Sequence, residues 1–124
     1  MASRILLGVS ALVWLPYGLF CLARPSYLEG VAGVVATTAT GTVELRAMYG
    51  GLQVAIGAIC ALGCMSGAWR RQALTTLGML TAGLGLGRLA GVLAGGGLSS
   101  YTAMALGFEL SSAVLAFTLA RKID

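Results

Sequence analysis

Hydrophobic residues run along this chain in four long stretches, separated by short clusters of Arg, Lys and Gly. From Ile5 to Ala23, 19 residues carry no charge, and Arg4 and Arg24 bound them. About 20 apolar residues in helical form cross a bilayer core. The run exceeds the roughly 7–15 apolar residues of a signal peptide, so it is read as a span. The second stretch is uncharged from Ala47 to Trp69 and stops at Arg70-Arg71, with Trp69 placed as an interfacial tryptophan. The third ends in Gly95-Gly96-Gly97, and Arg121-Lys122 closes the fourth. The pattern predicts spans over residues 5–23, 44–67, 73–94 and 101–120. Pro16 is the one expected interruption of their apolar cores. Between the first two spans, Pro25 at a helix start followed by Ser26-Tyr27-Leu28-Glu29 predicts a short interfacial helix. The Val/Ala/Thr/Gly run after it predicts extended or irregular chain.

Composition sharpens this picture. The chain is 58% hydrophobic and 10% charged, against roughly a quarter charged in soluble domains, so a charged shell around a core is excluded. The predicted fold class is all-α: one polytopic membrane domain, a four-transmembrane-helix bundle covering residues 1–124. Histidine is absent, which excludes imidazole metal sites and Ser/His or Cys/His nucleophile pairs. Cys21, Cys60 and Cys64 lack CxxC spacing and read as buried thiols, so neither metal nor cofactor is expected. The net charge of +4 is too scattered to track phosphates, and no nucleic acid is expected as a partner. It is better read as topology. Arg4, Arg70, Arg71, Arg121 and Lys122 fall on one face and Arg24 and Arg46 on the other, so the positive-inside rule places both termini in the cytoplasm.

The 19 glycines suit helix packing in lipid, where small residues let backbones approach. Gly83, Gly87, Gly91 and Gly95 recur every fourth residue, and Ala47, Gly51 and Ala55 form a second stripe. Both are expected to be packing faces, within the chain or along a homo-oligomer seam.

Four charged residues remain at or inside spans: Glu44, Arg46, Arg88 and Glu109. At 1.5 Å per residue, Glu109 lies roughly 12 Å and Arg88 about 10 Å below the outer surface, and span two brings Tyr49 and Gln53 to the same half. A charge at the centre of a span costs about 2.5–3.5 kcal/mol, so partners are required. The simplest arrangement pairs Arg88 with Glu109 and Arg46 with Glu44. Arg46, Tyr49 and Gln53 then form one polar stripe, and the small residues Ala105, Ser112 and Ala113 turn the face of Glu109 towards other helices. Arg88 would reach into the bundle beside the Gly87 ridge.

The string Glu44-Leu45-Arg46-Ala47-Met48-Tyr49-Gly50-Gly51-Leu52-Gln53, with Leu86-Gly87-Arg88-Leu89 and a lone Glu109, resembles a family of small bacterial four-helix membrane proteins classed as domain of unknown function 4345. In layout it is similar to DoxX-like membrane proteins. The resemblance implies the fold, a bacterial inner membrane, and the importance of Glu44, Arg46, Tyr49, Arg88 and Glu109; it brings no activity. From the residues themselves, the expected function is binding of a lipophilic small molecule or membrane lipid. Arg46, Tyr49 and Gln53 are the candidate ligand contacts. Glu44, Glu109 and Arg88 are the candidate catalytic groups, should proton transfer of the isomerase, cyclase or epoxide-opening kind occur. The competing expectations are an accessory subunit of a larger membrane complex and a dimeric proton-coupled transporter.

Overall fold

The computed structural model describes residues 1–123, and among them every regular element is helical. Four helices are long and apolar enough to cross a membrane: α1 (Ala2–Ala23), α3 (Ala39–Met65), α4 (Gly67–Gly96) and α5 (Ser100–Ala120). Between α1 and α3 lies α2 (Tyr27–Ala32), the short helix expected after Pro25. Gly33, with φ 67°, ends it in the left-handed region that glycine adopts without strain. The chain then runs without regular structure to Thr38, whose hydroxyl accepts a hydrogen bond from the Gly41 N–H at 3.0 Å and caps α3.

Three boundaries differ from the sequence reading. The second long helix starts at Ala39, not Glu44, because the Thr38 cap nucleates it earlier. It also ends at Met65: Ser66 is extended (φ −114°, ψ 126°) and α4 begins at once with Gly67. Trp69, Arg70 and Arg71 therefore ride on the first turns of α4 rather than closing α3. The interruptions also lie elsewhere than expected. Pro16 sits inside a continuous α1. Two π-helical segments occur instead, Arg46–Gly51 in α3 and Val92–Gly96 at the end of α4. In the first, the Leu52 amide bonds back five residues to Ala47 O, the wider turn that often marks functional positions in helices.

The bundle is two tight helix pairs, α1 with α3 and α4 with α5, and α1 makes only sparse contact with α4 and α5. Glycines set the closeness of each pair. A methyl group added at Gly18 would lie 2.7 Å from Val54 N, and one at Gly57 would lie 2.7 Å from Leu15 N. On the other pair, one at Gly85 would lie 2.7 Å from Leu110 Cδ2. The ridge expected from Gly83, Gly87, Gly91 and Gly95 has no such role, since a methyl at any of these meets nothing within 4 Å. Ala47, Gly51 and Ala55 are exposed as well. Both stripes face out of the bundle, because the faces that meet carry their glycines seven residues apart: Gly50 and Gly57 on α3, Gly78 and Gly85 on α4.

The apolar core fills the end of the bundle near the termini. Leu7 and Ala11 of α1, Ile56 and Cys60 of α3, Leu74 and Leu77 of α4 and Ala116 of α5 are buried together there. Basic residues finish that end. Arg4 Nε donates to Cys64 O at 3.2 Å and Arg70 Nε to Gly63 O at 3.1 Å, so they satisfy carbonyls that the end of α3 leaves without intrahelical partners. All three cysteines are free thiols.

Candidate functional site

At the opposite end the two helix pairs do not close on each other. A cavity of about 390 Å³ lies in the seam, and all four long helices contribute to its wall. It is a cleft partly open to its surroundings, and its size falls within the roughly 300 to 1,000 Å³ of small-molecule sites.

Its polar pole is Arg88 and Glu109. Glu109 is only 3% exposed, and Arg88 grips both its oxygens: Nε donates to Oε2 at 3.0 Å and Nη2 to Oε1 at 2.8 Å. This fork-to-fork geometry is the strong form of the ion pair. Gly85 makes it possible, because its missing side chain lets α4 approach Glu109 and Leu110 of α5 three residues before Arg88. On the outer side the guanidinium carbon sits 5.8 Å from the centre of the Tyr101 ring, within cation–π range. Arg88 Nη1 takes no part in the pair with Glu109.

Tyr49 and Gln53 reach the same cavity from α3. Gln53, 5% exposed, donates from Nε2 to Met48 O at 3.3 Å and so ties down the π segment. Its Oε1, together with Nε1 of Trp14, is buried without a partner among the described residues. An unsatisfied buried polar atom costs about 1–3 kcal/mol, so this part of the wall is not optimised for packing.

Of the six residues expected at the site, Arg88, Glu109, Tyr49 and Gln53 converge on the cavity. Glu44 and Arg46 do not. The π segment between Arg46 and Gly51 breaks the expected stripe. Arg46 turns away, donating from Nε to Leu22 O at 3.1 Å, and it lines a separate surface cavity with Arg24 and Glu29. Glu44 is exposed, and the expected Glu44–Arg46 pair does not form: Arg88–Glu109 is the salt bridge found among the described residues. Glu44→Gln is therefore expected to leave the thermal midpoint unchanged, within about 0.5 kcal/mol, by fluorescence-monitored melting.

The sequence reading missed the aromatic wall. Trp14 and Tyr17 of α1 and Tyr101 and Phe108 of α5 line the cavity, with Trp14 and Phe108 rings 5.8 Å apart and tilted by 53°. A signal was present: Tyr101 and Ala105 lie eight and four residues before Glu109, on its own helix face.

Fold and site together define an all-helical bundle of four membrane-length apolar helices around a cavity with a buried, bidentate ion pair. The chain belongs to the family described as a domain of unknown function (DUF4345), whose model matches residues 2–120. No curated protein and no solved structure matches it.

Proposed function

We propose that this protein binds a lipophilic small molecule in the seam between its two helix pairs, with the molecule's polar end at Arg88, Tyr49 and Tyr101 and its apolar body against Trp14, Leu52 and Phe108. The observation that carries this reading is the cavity of about 390 Å³ with a mostly apolar wall and one polar pole, the usual build of a small-molecule site. Both Glu109 oxygens accept from Arg88, so a proton taken up by Glu109 would come at the cost of its ion pair. That favours binding over proton transfer as the primary activity.

The basic residues support an orientation in the cytoplasmic membrane. Arg4 and Arg70 meet at the end of α3 near the termini, with Arg71, Arg121 and Lys122 in the same end turns of their helices. By the positive-inside rule that end is cytoplasmic, and the cavity opens in the outer half of the membrane.

Trp14 is buried on the cavity wall and can report on it in a Trp69→Phe background, since the chain has two tryptophans. In nanodiscs, 1-bromodecane is expected to quench Trp14 emission saturably, because bromine quenches indole on contact. Ala105→Phe, which fills the cavity, is expected to abolish the saturable part while leaving the helical circular dichroism intact. Quenching that only rises linearly with probe, identical in both proteins, would refute the reading.

A further inference from the structure

A further cavity, of about 370 Å³, adjoins the one in the helix seam and shares Tyr49, Arg88 and Tyr101 with it. Its roof is the end of α2 and the turn after it, Val31 to Val34, and its floor is the start of α5 at Ser99 and Thr102. The two spaces thus lie in series, one among the apolar walls of the four helices and the other beneath the short helix, with three polar side chains forming a collar between them.

We infer that the ligand is a single-chain amphiphile whose apolar chain occupies the inner cavity and whose compact, uncharged, hydroxyl-bearing head occupies this outer chamber. The inference rests on the binding reading above and names the ligand class for that site. Three observations lead to it. The inner cavity lies at the small end of the range for ligand sites, which suits one chain and not two. The outer chamber is lined by Tyr49, Ser99, Tyr101 and Thr102; the Ser99 and Thr102 hydroxyls share a hydrogen bond at 2.9 Å in the cap of α5, and because a hydroxyl both donates and accepts, this wall keeps capacity to match another hydroxyl in either role. Its one charged wall residue, Arg88, is already neutralised by Glu109, and its Nη1, outside that pair, remains to donate to a neutral oxygen. An anionic head would compete with Glu109 for the same guanidinium, and a cationic head would meet it as a like charge.

The head contacts form on residues that are half-exposed or, at Ser99, exposed, so their net value is about one to two ordinary hydrogen bonds, or roughly tenfold in affinity. Three probes of equal chain length separate the possibilities in the Trp69→Phe protein: 1-bromodecane, 10-bromodecanoate and the glycerol monoester of 10-bromodecanoic acid. The glycerol ester is expected to quench Trp14 at roughly tenfold lower concentration than 1-bromodecane, and the carboxylate is expected to gain no such advantage. Ala32→Trp, which fills the outer chamber from α2, is expected to erase the ester's advantage while 1-bromodecane binds as before. Thr102→Val, which keeps the shape and removes a hydroxyl, is expected to reduce it severalfold. Equal binding of ester and bromodecane in the unmodified chamber, an advantage that survives Ala32→Trp, or a carboxylate that outbinds the ester would each overturn the inference and leave lipophile binding standing. Failure of all three probes to quench saturably would overturn both.

Discussion

Arg88→Met should be among the most damaging single substitutions in the chain, lowering stability by about 3–5 kcal/mol, the usual cost of leaving one member of a buried ion pair behind. Glu109 is nearly inaccessible and both its oxygens accept from Arg88. Without the guanidinium the carboxylate has no partner of comparable strength. Arg88→Lys should recover only part of the loss, because an ammonium cannot make the two parallel hydrogen bonds. The double change Arg88→Met with Glu109→Leu should be much closer to the unmodified protein than Arg88→Met alone, since it removes the stranded charge and fills the space with apolar atoms. Thermal unfolding in detergent, read as a midpoint for the unmodified protein, Arg88→Met, Arg88→Lys, Glu109→Leu and the double variant, checks this. If the double variant is as unstable as the sum of the two single ones, the pair is not a coupled unit.

The second large effect is expected at Gly18 and Gly57. Alanine at either places a methyl against backbone, 2.7 Å from Val54 N in one case and 2.7 Å from Leu15 N in the other. Backbone cannot swing aside as a side chain can, so α1 and α3 must separate, with a loss of about 1–3 kcal/mol for each variant. Gly87→Ala is the matched control. Its added methyl meets nothing within 4 Å, and replacing glycine in a helix gains up to about 1 kcal/mol. The same melting series should therefore show two glycines that resist alanine and one that accepts it. A Gly87→Ala protein as unstable as Gly18→Ala would mean that the outward ridge is packed against something after all.

These contrasts show what the sequence made legible. Charge-free runs bracketed by arginines located the first two long helices, and the other two were legible as long apolar runs with one charge each, separated by Gly95-Gly96-Gly97 and closed by Arg121-Lys122. Pro25 located α2. The Arg88–Glu109 pair was legible because two opposite charges at similar depth on successive helices have few other solutions. The glycine faces were not. A period of four marks a helix face but not whether that face turns inward, and the inward glycines follow a period of seven that is diluted among 19 in all. The helix break at Ser66 was hidden because Met65-Ser66-Gly67-Ala68 reads as a continuing small, uncharged run. Glu44 and Arg46 were misplaced for a subtler reason. Their expected positions assumed a regular helix, and the π segment from Arg46 to Gly51 changes the turn between them and Tyr49, which no residue pattern announced.

The fork between Arg88 and Glu109 also constrains how the chain is made. Arg88 sits on α4 and Glu109 on α5, joined by the tight connection at Gly97 to Ser99. Either helix entering the membrane by itself would carry a lone charge costing about 2.5–3.5 kcal/mol at mid-depth. Entering together as a hairpin, with the fork already closed, they carry a dipole instead. The last two helices are thus suited to enter a membrane as one unit.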